Sequence, residues 1–173
     1  MKMGGRSSAR ELCQSQYVTS TNAIEEKLKE LGIRLPEAPA PMANYVPGVR
    51  SGNLLFLSGQ GPRTGNNELR TGKVARDVTV EQAYQDARLV GIQLLAAAKQ
   101  ALDGDLSRVR RVVKLLGFVN SVPEFGNQPQ VINGCSDLLV EVFGESGRHA
   151  RSAIGAILPQ NITVEVEAIF EVS

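Results

Sequence analysis

The chain has 173 residues, of which 42% are hydrophobic and 21% are charged, and its net charge is +1. This length favours one domain with a tail, and the near-neutral charge argues against DNA or an anionic membrane as the main partner. One histidine and two cysteines cannot supply an ordinary zinc site, and no apolar run approaches the roughly 20 residues that span a bilayer. We therefore expect a metal-free protein of a reducing, cytoplasmic compartment.

The N-terminal third is expected to contain little regular structure. Residues 1–20 lack the apolar segment of a secretory signal and are predicted to be a disordered extension. A short amphipathic helix is predicted over Asn22–Leu31, because Asn22 resembles an N-cap and apolar residues recur at helical spacing. Prolines that follow exclude regular helix. We thus expect a helix and Pro-rich linker over 21–39 and the main domain over 40–173.

A β-hairpin is the first element expected in the main domain. Two apolar segments, Tyr45–Arg50 and Leu54–Ser58, are separated by Ser51-Gly52-Asn53, which is a turn sequence. The second segment is apolar at nearly every position. We therefore predict that both of its faces are buried.

Two long helices and three further strands complete the predicted domain. Thr79 and Gln82 form a capping box that begins a helix ended by Asp103-Gly104. A strand follows over Val109–Asn120, then a helix from about Pro129 to Phe143, whose core face includes Cys135. Two terminal strands begin near Arg151 and Val164. The order predicts an α+β fold with a mixed sheet and the two long helices packed on one face.

Arg151 and Glu165 are the strongest candidates for a functional pair. Only a short turn separates their segments, so we expect them on neighbouring strands. An arginine fixed on a strand can hold a carboxylate through two parallel hydrogen bonds, and a nearby glutamate can position a water. The structural alternative is an ordinary cross-strand ion pair at the sheet surface.

Other polar residues indicate weaker alternatives. His149 is the single histidine, and no Gly-x-Ser-x-Gly turn accompanies it, so it is either a surface residue or a group lining the site. Four basic residues begin the strand over 109–120 and could contact RNA, but a solvated strand start is the simpler interpretation: Arg108, Arg110, Arg111 and Lys114.

Several motifs together resemble one family. In chain order they are Tyr45-Val46-Pro47-Gly48-Val49, Ser58-Gly59-Gln60, Gly117-Phe118-Val119-Asn120, Arg151-Ser152, Leu158-Pro159 and Val164-Glu165-Val166-Glu167-Ala168. From about residue 40 to 173 the chain resembles the Rid (YjgF-type) family of reactive-intermediate or imine deaminases. The additional N-terminal helix resembles a less characterised subgroup of that family.

The resemblance implies a chorismate-mutase-like fold assembled as a homotrimer with three clefts between subunits. Members with the matching arginine hydrolyse small 2-imino or 2-enamino acids to 2-keto acids and ammonia, a form of metabolite damage control, with no metal or organic cofactor. By this resemblance Arg151 grips the substrate carboxylate, Glu165 activates water, and Tyr45 lines the cleft of a neighbouring subunit. Further positions implied to bind substrate or line the cleft are Ser58, Gly59, Ala153, His149 and Asn120.

Three departures from the best-known deaminases leave alternatives open. The loop asparagine of the characterised members has no clear match, and Asn127-Gln128-Pro129 occupies that region. Ala153 stands where those enzymes have cysteine, and the segment from Arg151 to Pro159 is one residue shorter, which can change the face that a side chain occupies. A trimer that binds small carboxylates without chemistry is the first alternative. RNA cleavage or inhibition of translation, also attributed to some members, is the second.

Overall fold

The computed structural model describes residues 23–37 and 44–173. The predicted extension over 1–20, Cys13, Asn22 and part of the Pro-rich linker lie outside these ranges. Helix α1 occupies residues 23–30. The remaining helices and strands are β1 (Gly48–Ser51), β2 (Leu54–Gln60), α2 (Val80–Ala101), β3 (Val109–Asn120), α3 (Gln128–Phe143), β4 (Ala150–Ala156) and β5 (Val164–Val172), with short 3₁₀ turns at Leu106–Arg108, Gly144–Gly147 and Pro159–Asn161.

The five strands form one mixed sheet in the order β1-β2-β5-β3-β4. Strands β3 and β4 are parallel, and every other neighbouring pair is antiparallel. The predicted α+β fold, with both long helices on one face, is confirmed. The prediction that Arg151 and Glu165 lie on neighbouring strands is wrong, because β3 lies between β4 and β5.

Helices α2 and α3 cover one face of the sheet and cross at small residues. The predicted capping box begins α2: Thr79 Oγ1 accepts from the Gln82 amide at 3.2 Å, and Gln82 Oε1 accepts from the Thr79 amide at 2.9 Å. A Cβ added at Gly134 of α3 would overlap the backbone oxygen of Tyr84 on α2. The close crossing therefore depends on the absence of a side chain at this position, as in other tightly packed helix pairs.

Helix α1 docks on the same layer. Leu28 is 3% exposed and belongs to the main core, and Lys99 Nζ of α2 lies 2.6 Å from Glu25 Oε1. Apolar burial supplies most of the attachment, since a partly exposed ion pair contributes little.

The second face of the sheet carries no helix. Phe56 in β2 is 42% exposed on this open face, and Val49 in β1 and Ile154 in β4 are 55% and 48% exposed. The prediction that both faces of the second strand are buried is therefore wrong for the single chain. The alternation in β5 is as predicted, and its helix-facing residues are buried: Val164, Val166, Ala168, Phe170 and Val172.

Among the described helices, none combines the length and apolar character that crossing a bilayer requires.

Candidate functional site

One candidate site surrounds Arg151 on the helix-covered side of the sheet. Arg151 Nη1 donates to Asn133 Oδ1 at 2.8 Å and to Ser136 Oγ at 3.0 Å, both on α3. Ser136 Oγ also lies 3.0 Å from His149 Nε2. These four residues form what we call the Arg151 cluster: Asn133, Ser136, His149 and Arg151. All four side chains are partly buried, so they are ordered by packing yet reachable from solvent.

The backbone fixes the orientation of the His149 ring. Its Nδ1 lies 2.6 Å from the carbonyl oxygen of Gly147, which can only accept, so Nδ1 carries the hydrogen. In the neutral ring Nε2 then accepts from the Ser136 hydroxyl. Burial lowers the pKa of His149, and the positive charge of Arg151 lowers it further against the opposing Gly147 hydrogen bond. At neutral pH the cluster therefore holds a neutral imidazole.

Arg151 has no acidic partner among the described residues. Its two hydrogen bonds use Nη1 alone, and Nε and Nη2 make none with the described chain. The other partners of the cluster are an amide and a hydroxyl, which leave the charge uncompensated. A partly buried cation without a counter-charge is costly, so this arrangement is typical of a site that receives an anion.

A second polar group lies on the open face, around Glu165. Burial raises the pKa of Glu165, and repulsion from Glu167 raises it further. A Cβ at Gly59 would overlap the Glu165 carboxylate, so the absence of a side chain at Gly59 lets the carboxylate occupy this position. Ser58, next to Gly59, donates its hydroxyl to the Val46 carbonyl at 2.7 Å. A partly desolvated carboxylate with a raised pKa is suited to accept a proton from water.

The structure separates Arg151 from Glu165. In the register Arg151 is level with Leu115 and Ala168, while Glu165 is level with Phe118, three residues further along. Two strand spacings across and three residues along place their Cα atoms roughly 14 Å apart. Arg151 contacts α3, whereas Glu165 alternates with the helix-facing Val164 and Val166 and points to the open face.

The other residues predicted to line the cleft lie in different parts of the fold. Tyr45 precedes β1 and is 51% exposed. Ala153 packs against the core under α3. Asn120 is 2% exposed at the end of β3, where its Nδ2 donates to Asn161 Oδ1 at 2.9 Å and to the Gly72 carbonyl. Asn120 therefore belongs to a buried loop anchor and contacts neither group.

Sequence reasoning missed Asn133 and Ser136. Both lie beside the buried apolar face of α3 at a spacing of three residues, which places them on one side of the helix. That spacing was a usable signal, but only the pairing of β3 with β4 shows that Arg151 faces them.

The basic residues at the start of β3 are largely engaged within the chain. Arg108 Nη1 lies 3.5 Å from Asp103, and Arg108 also donates to the Ser173 carbonyl. Lys114 Nζ donates to Ser152 Oγ at 3.0 Å. Arg110 and Arg111 are exposed. This pattern agrees with a solvated strand start balanced by nearby groups.

Acid is expected to destabilise the protein through His149. The pKa of His149 is lower in the folded state than the ordinary 6.5, so folding favours the neutral ring. The stability that this preference contributes is complete above pH 6.5 and is lost as the pH falls through the pKa of the folded state. We expect the free energy of unfolding, measured by urea denaturation between pH 7.5 and 5, to fall less in His149→Gln than in the wild type. An identical pH dependence in both proteins would contradict this assignment.

Within the described ranges, no three His, Cys, Asp or Glu side chains come together as metal ligands.

Comparisons with known proteins agree on one family. The family model described as "YjgF/chorismate_mutase-like, putative endoribonuclease" matches residues 25–171. Protein TCP17 of Trypanosoma cruzi is 46% identical over 158 residues, covering 90% of this chain and 98% of that protein. A protein of Dermatophagoides farinae named 2-iminobutanoate/2-iminopropanoate deaminase is 31% identical over 139 residues, covering 79% and 92%. The crystal structure of Atu1372 from Agrobacterium tumefaciens, of unknown function, superposes with a TM-score of 0.83 at 49% identity, covering 92% and 98%.

Proposed function

The chain belongs to the YjgF/chorismate mutase-like family, and on that premise we propose that it hydrolyses 2-imino or 2-enamino acids to 2-keto acids and ammonia. The uncompensated charge of Arg151 is the observation that carries the proposal, because such a guanidinium fits the substrate carboxylate. The deaminase name of the Dermatophagoides farinae relative supports the reaction. The proposed enzyme is a cytoplasmic homotrimer that needs no metal or organic cofactor.

The proposed chemistry requires orientation more than a strong nucleophile. Water adds to the electrophilic iminium carbon while Glu165 accepts a proton from it, giving a carbinolamine. Glu165 returns that proton to nitrogen, and the carbon–nitrogen bond breaks as the hydroxyl proton passes to Glu165, which releases ammonia and leaves the 2-keto acid. Ammonia or bulk water then takes the proton from Glu165. Burial raises the pKa of Glu165, and so brings its basicity closer to the working pH.

The separation of the two groups adds a condition to this proposal. The carboxylate oxygens and the imine carbon of the substrate are only about 2.4 Å apart, given ordinary bond lengths. One such molecule cannot contact Arg151 and Glu165 when they lie on opposite faces of one sheet. We therefore propose that Arg151 of one chain and Glu165 of a neighbouring copy form each site, across the clefts that the homotrimer implies.

Glu165→Gln is expected to lose most of the imine hydrolysis, because the amide cannot accept the proton. A loss of roughly 100- to 10,000-fold in kcat is typical for a general base. The matched control is Glu167→Gln, on the same strand and the same face but more exposed. Ammonia release from freshly generated 2-iminopropanoate measures the effect. Equal activity of the two variants would exclude Glu165 as the base.

A mixture of inactive variants tests whether the site combines two chains. Arg151→Ala and Glu165→Gln subunits, unfolded together and refolded at equal amounts, should regain about a quarter of wild-type activity, because that fraction of inter-chain sites contains both native residues. Each variant refolded by itself is the control. No recovery in verified mixed oligomers would show that the two residues do not come from different chains.

Carboxylate binding without chemistry is the second candidate function. The separation of Arg151 from Glu165 favours it, because the anion site is preorganised in one chain and the base is not. Calorimetric titration with pyruvate distinguishes the two candidates. Binding that depends on Arg151, without turnover of any imino acid, would favour a regulatory or carrier role.

A further inference from the structure

We infer that Asn133, Ser136 and His149 are positioning residues that hold one end of the Arg151 guanidinium and leave its Nε–Nη2 edge free for a ligand carboxylate. The identity of that ligand rests on the proposed function. The positioning itself rests on the contacts of the cluster and is testable without turnover.

The hydrogen-bond pattern determines which edge of Arg151 is available. Nη1 has two hydrogens, and Asn133 Oδ1 and Ser136 Oγ accept both, at 2.8 and 3.0 Å. End-on binding through Nη1 and Nη2 would have to break one of these bonds. The three remaining hydrogens are on Nε and Nη2, so a carboxylate can bind side-on with two parallel bonds and leave the cluster intact.

The neutrality of the partners keeps the positive charge available. Arg88 provides a contrast within the same chain, since its Nη1 and Nη2 donate to Glu141 at 3.2 and 2.7 Å and an acid balances its charge. Arg151 is oriented by an amide and a hydroxyl instead. The cluster therefore fixes the orientation of the guanidinium and does not neutralise its positive charge.

His149 acts on Arg151 through Ser136. Gly147 holds the ring by its Nδ1–H, which directs the lone pair of Nε2 toward the Ser136 hydroxyl. Once that hydroxyl donates to Nε2, a lone pair of Ser136 Oγ is left to accept from Nη1. The chain of contacts Gly147–His149–Ser136–Arg151 thus extends the rigidity of the backbone to the guanidinium.

The first measurement is the ¹⁵N relaxation of Arg151 Nε in the full chain, with Arg88 Nε as an internal reference and Arg151→Lys to assign the signal. We expect a rigid Nε in the wild type and a mobile one in Ser136→Ala and His149→Gln. Ser136→Thr retains the hydroxyl and should restore rigidity. An Arg151 Nε that stays equally rigid in Ser136→Ala and His149→Gln would overturn the inference.

The second measurement is pyruvate affinity of the same proteins and of Asn133→Asp. This near-isosteric change keeps an acceptor on Nη1 but adds an acid, so we expect a rigid Nε together with roughly tenfold weaker binding. Undiminished affinity in Asn133→Asp would overturn the claim that neutral partners preserve the charge. If the predicted relaxation pattern appears but the wild type neither binds pyruvate nor hydrolyses imino acids, the positioning holds and the proposed function fails.

Discussion

Replacing Arg151 with alanine is expected to abolish both carboxylate binding and imine hydrolysis while the fold survives. Two charge-assisted hydrogen bonds to the ligand contribute about 1.5–3 kcal/mol each, so the loss of both corresponds to roughly 150- to 25,000-fold in kcat/KM. The side chain is partly buried on the edge strand β4, and its partners Asn133 and Ser136 remain able to bond water. Ammonia release and pyruvate calorimetry measure the two effects.

Arg151→Lys is the matched control, because it keeps the positive charge and removes the planar guanidinium. Lysine donates as a point charge and cannot make two parallel bonds to one carboxylate, so we expect partial binding and a large loss of turnover. Circular dichroism and size-exclusion chromatography establish that the variants keep their fold and assembly. Wild-type turnover in folded Arg151→Ala would refute the role of this residue in either candidate function.

Replacing Gly134 with alanine is expected to lower the free energy of unfolding by at least about 3 kcal/mol, near or above the upper range for overpacking. The new Cβ would overlap the backbone oxygen of Tyr84, and the neighbouring contacts of that Cβ are also backbone atoms of α2. Backbone of a helix cannot move aside as a side chain can, so α2 and α3 would have to separate. Urea denaturation measures the change.

Two glycines provide controls for the Gly134 variant. At Gly91 the nearest atom to a new Cβ is Leu138 Cδ2, at 2.7 Å, which is the flexible end of a side chain, so Gly91→Ala should cost less. At Gly126 a Cβ meets nothing within 4 Å, so Gly126→Ala should be nearly neutral. Equal stability of all three variants would mean that the helix crossing tolerates a wider spacing than the structure shows.

Local signals in the sequence predicted most elements. The capping box at Thr79 and Gln82 satisfies orphan amides whatever the rest of the chain does, so it identified the start of α2. Period-two alternation in the last strand separated Val164 and Val166 from Glu165, because side chains of one strand necessarily alternate between faces. Helical periodicity likewise placed Cys135 on the apolar face of α3, and its predicted burial is confirmed.

The neighbours of each strand were decided only by the tertiary structure. The short connection between β4 and β5 favoured adjacent strands, but α3 connects β3 to β4 as a parallel crossover, which places β4 beside β3. Strand β5 then pairs with the other edge of β3. Periodicity fixes which residues of one strand share a face, but not which strand lies beside it or which of its faces the helices cover.

The sequence by itself therefore determined the residue types that can hold a carboxylate and activate water, namely Arg151 and Glu165. Tertiary structure decided that Arg151 faces Asn133 and Ser136 under α3, while Glu165 lies beside Gly59 on the open face. The physical reason is that hydrogen-bond partners from distant parts of the chain are selected by sheet pairing and helix packing. Those long-range choices leave no periodic pattern in the sequence.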